Sequence, residues 1–279
     1  MSTLPPRTPA DTNAHHAPST AMRPEAGTGN YRPEPVSFVR RGSRLQGRRQ
    51  QAWDEYAPQF VIDVPRLEAD TSVDPAYLFD AKATFGREAK LVVEIGSGLG
   101  EAIVHAARTN PDTDFLAVEV YRPGLAQTLQ KAGPLGLTNL RLIEANAPEV
   151  LATTLSEGTV DELWVFFPDP WHKTRHHKRR LVKDSLVPLA ARVLKDGGTW
   201  RLATDWVEYA AHIAEVLRTA EQFENQHPDT LGLPYTEDGE RIAGVAPRFA
   251  GRILTSFENK AREAGREATD FELVRTPRP

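Results

Sequence analysis

The segment Leu91–Gly100, with the sequence LVVEIGSGLG, carries the clearest indication of the fold. A short apolar run enters a turn with three glycines, and the residues that follow have the spacing of an amphipathic helix up to Arg108. Asn110 and Pro111 then end the helix, because proline cannot continue it. The segment predicts a β-strand, a tight turn and an α-helix, which is the repeating unit of parallel sheets.

Strand and helix patterns continue to alternate towards the C-terminus. Further strands are predicted over residues 115–120, 140–144, 163–167 and 199–203, with later ones near Phe223 and over residues 271–274. Helices are predicted between them, including one over residues 180–194 that ends before two glycines and one over residues 205–220. This alternation predicts an α/β fold with a Rossmann-like, mainly parallel sheet that carries helices on both faces.

The composition excludes several classes of protein. The 279 residues suffice for one sizeable core, and none of them is cysteine, which excludes disulfides, thiolate metal sites and cysteine nucleophiles. The mean hydropathy is −0.46, and no apolar run approaches the ~18 residues of a membrane span, so we expect no membrane segment. The first residues lack the apolar stretch of a signal peptide, and we expect a cytoplasmic protein.

The net charge of −4 conceals two basic segments on an acidic body. Residues 1–52 carry eight arginines and three acids, and residues 171–183 carry six cations and no acid. This distribution favours one local contact with a polyanion. Residues 1–34 are rich in Pro, Thr and Ala without apolar periodicity and are predicted to be a disordered tail. A basic arm over residues 35–60 and one main domain over residues 61–279 are predicted to follow it.

An acid inside the first strand distinguishes between possible ligands of the glycine-rich turn. Dinucleotides and S-adenosylmethionine both bind such turns, and a tight left-handed bend without a ligand is the structural alternative. Glu94 is costly to bury without a partner. The amino group of an amino-acid-bearing cofactor would be such a partner, whereas a pyrophosphate would be repelled. The sequence therefore favours S-adenosylmethionine, with Glu94, Gly96, Gly98 and Gly100 as binding residues.

Polar residues also follow the second and third predicted strands. Glu119 ends the second strand, where a carboxylate can accept hydrogen bonds from a ribose diol; an exposed strand-end acid is the alternative. Asn146 follows the third strand, where the adenine edge of a cofactor would lie, or it forms an ordinary Asx turn. Because the carboxyl ends of parallel strands meet at one edge of a sheet, both residues are candidates for the cofactor site.

The most informative stretch is FFPDPWHKTRHHKRR, residues 166–180. The fourth strand ends at Asp169, which lies between two prolines that restrict the backbone, and Trp171 offers a flat face for a base. The cations that follow are suited to phosphates, which favours RNA binding over a solvated charge run. The histidines of this stretch have no further ligands at a suitable spacing, so no metal site is predicted.

Two other segments carry candidate residues. Asp205 follows the fifth strand and is predicted to cap the next helix, to bind a ligand, or both. Residues 255–258, with the sequence TSFE, have the pattern of an ordinary helix start, and alone they indicate no function.

Together these segments resemble the bacterial tRNA (guanine-N(7)-)-methyltransferases, from about residue 36 to the C-terminus. Four blocks carry the resemblance: residues 37–44, residues 94–100, residues 168–180, and Thr204-Asp205 with residues 255–258. The PDPW block with its basic continuation is specific to that family, whereas the glycine-rich turn occurs in many methyltransferases. The resemblance implies a class I methyltransferase fold with a seven-stranded sheet whose last strand is antiparallel.

The resemblance also implies an activity, which is methyl transfer from S-adenosylmethionine to N7 of guanine 46 in the tRNA variable loop. It implies that Asp169 lies at the reacting centre as the catalytic residue and lines the cofactor site with Glu94, Glu119 and Asn146. The implied contacts to the substrate guanosine come from Lys173, Asp205, Thr255, Ser256, Phe257 and Glu258. The implied RNA contacts come from Arg40, Arg41, Arg44, Arg175, His176, His177, Lys178, Arg179 and Arg180. A monomer or homodimer that binds tRNA is expected.

Two other functions stay open at this point. A nucleic-acid N6/N4 amino-methyltransferase is the alternative enzyme, because PDPW is similar to the Asp/Asn-Pro-Pro-Tyr motif of those enzymes, although the second proline is displaced. A non-catalytic RNA-binding protein that senses S-adenosylmethionine is the alternative from another class, and the acid at the end of strand four argues against it. A dehydrogenase is disfavoured by Glu94.

Overall fold

The structure of the protein is a computed structural model that describes residues 44–67, 71–236 and 238–279. The predicted tail over residues 1–34 and two predicted RNA-binding residues, Arg40 and Arg41, lie outside the described residues. The β-strands are β1 Lys90–Ile95, β2 Thr113–Glu119, β3 Leu140–Glu144, β4 Val160–Phe166, β5 Leu194–Thr204, β6 Phe223–Asn225, β7 Leu231–Pro234, β8 Arg241–Ala243 and β9 Thr269–Arg275. The α-helices are α1 Arg48–Phe60, α2 Ala81–Phe85, α3 Glu101–Thr109, α4 Arg122–Ala132, α5 Ala147–Glu149, α6 Leu186–Val193, α7 Val207–Arg218 and α8 Ser256–Glu263.

Seven of these strands form one sheet in the order β3-β2-β1-β4-β5-β9-β6, and β7 and β8 form a separate two-stranded ribbon. The pairs formed by β1 to β5 are parallel, whereas β9 runs antiparallel to both β5 and β6. This confirms the predicted α/β fold, with a mainly parallel seven-stranded sheet and an antiparallel last strand. The central strands are apolar on both sides, as in β2, because both faces of the sheet are covered.

Helices cover both faces of the sheet, as predicted. Val93 and Ile95 of β1 pack in a core with residues of α6 and α7, whereas Val92 packs in a second core with residues of α3 and α4. Successive residues of a strand point to opposite faces, so one apolar run supplies both cores. The helix α1 adds to the second core through Ala52 and the fully buried Phe60.

The predicted helix over residues 180–194 is wrong in its first half. Residues Thr174–Arg179 form a 3₁₀ turn, α6 begins only at Leu186, and Leu194 already belongs to β5. Arg180 has an extended backbone and a buried side chain whose Nε donates to the carbonyl of Pro170 at 2.9 Å. This inward contact holds the segment against the end of β4, so helical periodicity in its sequence does not become a helix.

Candidate active site

A cavity of about 320 Å³ lies at the carboxyl ends of β1 to β4. It brings together eight residues that the sequence singled out: Glu94, Gly96, Gly98, Glu119, Asn146, Asp169, Thr255 and Phe257. The other predicted substrate residues, Lys173, Asp205, Ser256 and Glu258, do not line it. The cavity therefore joins the glycine-rich turn, three strand ends and the start of α8.

The glycine-rich turn needs its glycines. Gly96, Gly98 and Gly100 have φ values of 73°, 57° and 70°, in the left-handed region that other residues rarely adopt. At Gly100 a Cβ would also lie 2.2 Å from the hydroxyl of Thr128 in α4. Gly100 thus lets α3 start close against α4, while Gly96 and Gly98 face the cavity.

Glu94 is buried, with 3% of its surface exposed, and its Oε2 has no hydrogen-bond partner among the described residues. Burial raises the pKa of Glu94 to about 8, and the negative charge of Glu119 adds to this, against the opposing charge of Arg252. The hydroxyl of Ser97, also on the cavity wall, is buried and likewise has no partner in the described ranges. These two unsatisfied groups fit a ligand that brings its own polar atoms, such as the amino acid portion of S-adenosylmethionine.

Glu119 is held rigidly by the backbone around it. One carboxylate oxygen accepts from the backbone N–H of Gly98 at 2.8 Å, and the other accepts from those of Val120 and Tyr121 at 2.8 and 2.9 Å. Burial raises the pKa of Glu119, and these hydrogen bonds oppose the rise. Oε2, the oxygen that accepts from Gly98, has a further lone pair for a donor such as a ribose hydroxyl.

Asn146 lines the cavity but also holds its own turn together. Its Nδ2 donates to Oε1 of Glu149 at 3.1 Å, and its backbone N–H donates to the carbonyl of Thr71 at 2.8 Å. The side chain makes no capping bond to α5. Asn146 therefore presents its remaining atoms to the cavity from a fixed position.

The segment after β4 is strained at both ends. Phe167 and Trp171 have φ values of 53° and 50°, which for residues other than glycine costs about 1–3 kcal/mol each. Between them, Pro168 and Pro170 restrict the backbone on either side of Asp169, which is exposed at the rim of the cavity. Such strain is typical of functional loops whose surroundings hold them in place.

The basic run contains two kinds of residue. Arg175 and Lys178 are exposed, whereas the guanidinium of Arg179 lies 5.0 Å above the ring of Trp171 and covers the face that was predicted for a base. Desolvation and the charges of the neighbouring cations lower the pKa of His176.

Arg180 differs from its predicted role in RNA binding. Its side chain is 1% exposed, it pairs with both carboxylate oxygens of Glu208 at 3.1 and 2.5 Å, and it lies 4.7 Å above the ring of Tyr209. Because these partners and the Pro170 carbonyl bind all three guanidinium nitrogens of a buried side chain, the group is not presented to a phosphate as an exposed cation would be. Arg180 is a structural residue that fixes the loop carrying Asp169.

Three predicted substrate residues, Asp205, Thr255 and Glu258, make contacts of their own within the protein. Asp205 does not cap α7; it accepts from Nε of Arg266 at 2.9 Å. Thr255 caps α8 by accepting from the backbone N–H of Glu258, so the predicted helix start is confirmed. Glu258 is buried, which by itself would raise its pKa, but its contact with Arg248 at 2.6 Å and the charge of Arg252 outweigh burial and lower the pKa.

Two residues near the cavity gave no signal in the sequence. Glu101, at the start of α3, accepts hydrogen bonds from Ser256, which is 155 positions away in the chain. Arg252 is buried beneath Phe166 and Phe167. The sequence around Glu101 or Arg252 does not reveal these contacts, because the partners of each residue are distant from it in the chain.

The described part of the chain shows neither a metal cluster nor a membrane helix. Within residues 44–67, 71–236 and 238–279, no three His, Asp or Glu side chains are grouped to hold a metal ion. No helix in the same ranges is long and apolar enough to span a bilayer.

The sheet order, the glycine-rich turn and the two buried carboxylates fit a methyltransferase that binds S-adenosylmethionine. In agreement with this, the model of a family described as "Putative methyltransferase" matches residues 88–271. The chain is 55% identical to the tRNA (guanine-N(7)-)-methyltransferase of Paenarthrobacter aurescens, over 88% of this chain and 93% of that one. It is 52% identical to that of Arthrobacter sp. strain FB24, over 88% of each chain, and 41% identical to that of Bifidobacterium longum, over 91% and 96%. The chain belongs to the tRNA (guanine-N(7)-)-methyltransferase family.

Proposed function

We propose that this protein transfers the methyl group of S-adenosylmethionine to N7 of guanine 46 in the tRNA variable loop. One observation carries the proposal: the two carboxylates suited to the cofactor, Glu94 and Glu119, line the same cavity as Asp169 of the PDPW segment. The names of the relatives support guanine N7 of tRNA as the target. Position 46 rests on the resemblance of the four sequence blocks.

The chemistry of the target fits this cavity. Guanine N7 carries a lone pair and no proton, so no base has to remove a proton before the methyl group is attacked. The enzyme must align N7, the methyl carbon and the sulfonium, and it must stabilise the positive charge that the purine acquires. Asp169, fixed at the rim by flanking prolines and strained residues, supplies a negative charge for that purpose.

The cofactor would be held by the residues on the β1 and β2 side. Glu94 would accept from its amino group, Glu119 from its ribose, and Asn146 would lie near its base. The sulfonium supplies the methyl group when the cofactor is bound. Gly96 and Gly98 let the cofactor approach the backbone, since neither has a side chain that would fill the space.

The substrate would enter from the side of α8 and the basic run. Thr255 and Phe257 line the cavity, and Phe257 is 58% exposed, which offers a stacking surface for the guanine. Asp205 and Glu258 would act on this side through the arginines that they hold. The phosphates would be bound by exposed cations, which are Arg44, Lys173, Arg175 and Lys178, with Arg179 and the two neighbouring histidines beside them.

The wider organisation is proposed on the same basis. The predicted basic arm over residues 35–60 would add Arg40 and Arg41 to the RNA contact, but its last part, α1, would belong to the methyltransferase domain with residues 61–279, because Ala52 and Phe60 pack in the core of that domain. The protein would act in the cytoplasm, where tRNA is available, as a monomer or homodimer.

The proposal is tested with an unmodified tRNA transcript and methyl-labelled S-adenosylmethionine. After digestion, mass spectrometry should identify N7-methylguanosine in the fragment that contains position 46. A matched transcript with adenosine at position 46 should accept no methyl group. N6-methyladenosine or N4-methylcytidine would instead support the amino-methyltransferase, and tRNA binding without methyl transfer would support the non-catalytic alternative.

A further inference from the structure

Glu101 connects the two halves of the cavity. It is the first residue of α3, directly after the glycine-rich turn, and its Oε2 accepts from the backbone N–H of Ser256 at 2.7 Å and from the Ser256 hydroxyl at 2.8 Å. Ser256 is the first residue of α8, between Thr255 and Phe257 of the cavity wall. One carboxylate oxygen thus bridges the cofactor side and the substrate side.

The electrostatics of this bridge are favourable at both ends. The first N–H groups of a helix have no partner within the helix, and a negative charge near them is stabilising. Glu101 lies in the first turn of its own helix and also satisfies the first N–H of α8. Its charge therefore holds two helix N-termini against each other across the cavity.

The turn is fixed from the other side by Lys131 of α4. Its Nζ donates to the carbonyl of Leu99 at 2.6 Å, two residues before Glu101. Burial lowers the pKa of Lys131, and the charge of Glu101 opposes the decrease. Lys131, the turn, Glu101 and the start of α8 are thus joined by consecutive contacts.

We propose that Glu101 is a positioning residue that couples cofactor binding to tRNA binding. The inference rests on the proposed function, because it takes the start of α8 as the substrate side. A cofactor that orders the turn also orders Ser256 and its neighbours, so the protein with cofactor binds tRNA more tightly. By linkage, tRNA must raise the affinity for the cofactor by the same factor.

The experiment measures this factor with S-adenosylhomocysteine, which cannot donate a methyl group. Its Kd is determined by calorimetry with and without saturating unmodified tRNA for the wild type, Glu101→Ala, Glu101→Gln, Ser256→Ala and the double alanine variant. We expect saturating tRNA to raise the affinity of the wild type for S-adenosylhomocysteine by at least about fivefold. Glu101→Ala should reduce the factor to about one, while each ligand alone binds within about threefold of the wild type. Glu101→Gln keeps an acceptor and should retain part of the factor.

Two comparisons separate coupling from a purely structural effect. The double variant should lose no more coupling than Glu101→Ala, since Glu101→Ala already removes both hydrogen bonds and Ser256→Ala removes only the one from the hydroxyl. In Glu101→Ala, the KM for tRNA at saturating cofactor should rise by the same factor by which the coupling falls. The Kd of this variant for tRNA without cofactor should stay unchanged. Glu263→Ala, an exposed acid at the other end of α8, is the matched control and should keep the wild-type factor.

Three results would overturn the inference: a factor of one in the wild type, an unchanged factor in Glu101→Ala, or a loss of cofactor affinity in Glu101→Ala with the factor preserved. The last result would make Glu101 a simple cofactor ligand. All three are distinct from failure of the proposed function, in which the wild type would methylate no guanine in tRNA. If Glu101→Ala does not fold, the Gln and Ser256 variants still decide between these outcomes.

Discussion

Arg252 and Asp270 form a paired ionic contact inside the protein. The two guanidinium nitrogens Nη1 and Nη2 of Arg252 donate to the two carboxylate oxygens of Asp270 at 2.5 and 2.9 Å, and both side chains are buried. The guanidinium also lies 5.0 and 5.2 Å from the rings of Phe166 and Phe167, directly before the PDPW segment. The pair thus links β9 to the loop that carries Asp169.

Replacing Arg252 by alanine should therefore destabilise the protein strongly. The change leaves the carboxylates of Asp270 and Glu258 buried with fewer partners, and breaking a buried pair in this way costs about 3–5 kcal/mol. The free energy of unfolding from urea denaturation is the measurement. Arg218→Ala, which breaks an exposed pair with Glu215, is the control and should leave stability unchanged. Equal stability of the two variants would contradict this account of Arg252.

Substitution of Arg180 should lower the stability of the protein, whereas substitution of Arg175 should affect tRNA binding, although both residues belong to the same basic run. Arg180→Ala removes a buried guanidinium with an ion pair and a carbonyl contact, so we expect a lower free energy of unfolding. Arg175→Ala removes an exposed cation and should leave stability unchanged. It should make the slope of log tRNA affinity against log salt concentration less steep, by about one unit or less. A normal salt slope in Arg175→Ala would show that this residue contacts no phosphate.

The strands of the sheet were predictable, because in a parallel sheet covered on both faces the strands are short, continuous apolar runs. The apolar residues 91–93 of β1 and 115–118 of β2 illustrate this. The helix predicted over residues 180–194 is wrong in its first half, where the inward contact of Arg180 overrides local periodicity. The ribbon of β7 and β8 had no clear pattern, since its strands are short and its outer residues, such as Leu231, are exposed.

The candidate site was predictable where a polar residue follows a strand. Glu94, Glu119 and Asp169 all come at or near strand ends, and parallel topology brings those ends together. The sequence could not distinguish Arg180 from the exposed cations beside it, because the difference depends on Glu208, which lies 28 positions away. Glu101 gave no signal for the same reason.

Glu94 should release a proton when the cofactor binds. Its pKa of about 8 in the folded protein means that the free protein holds this proton at pH 7, whereas the cofactor's ammonium group favours the carboxylate. Affinity for S-adenosylhomocysteine should therefore rise between pH 6 and 7.5, by at most about tenfold per unit. Calorimetry in buffers of different ionisation enthalpy should detect close to one proton released at pH 7. Glu94→Gln should release none, and equal release by both proteins would exclude Glu94 as the source.

The same raised pKa makes a prediction for stability. An unfolded glutamate, with its ordinary pKa near 4.5, has lost its proton by pH 6, whereas folded Glu94 keeps it up to about pH 8. The folded state thus binds more protons in this window, so the cofactor-free wild type should lose stability as the pH rises from about 5 to 8. Glu94→Gln does not titrate, and its free energy of unfolding should increase relative to that of the wild type over the same range. A constant difference between the two would place the pKa of Glu94 outside this window.

Asp169→Asn tests the electrostatic role proposed for the rim of the cavity. The substitution keeps the size of the side chain and the geometry set by Pro168 and Pro170, and it removes the negative charge. If that charge stabilises the developing cation on the purine, the single-turnover rate with saturating tRNA and cofactor should fall by about a hundredfold. The Kd values for tRNA and S-adenosylhomocysteine should stay within about threefold of the wild type. Asp184→Asn, an exposed acid beyond the basic run, is the matched control and should transfer the methyl group at the normal rate. A near-normal rate in Asp169→Asn would mean that alignment of the substrates alone accounts for catalysis.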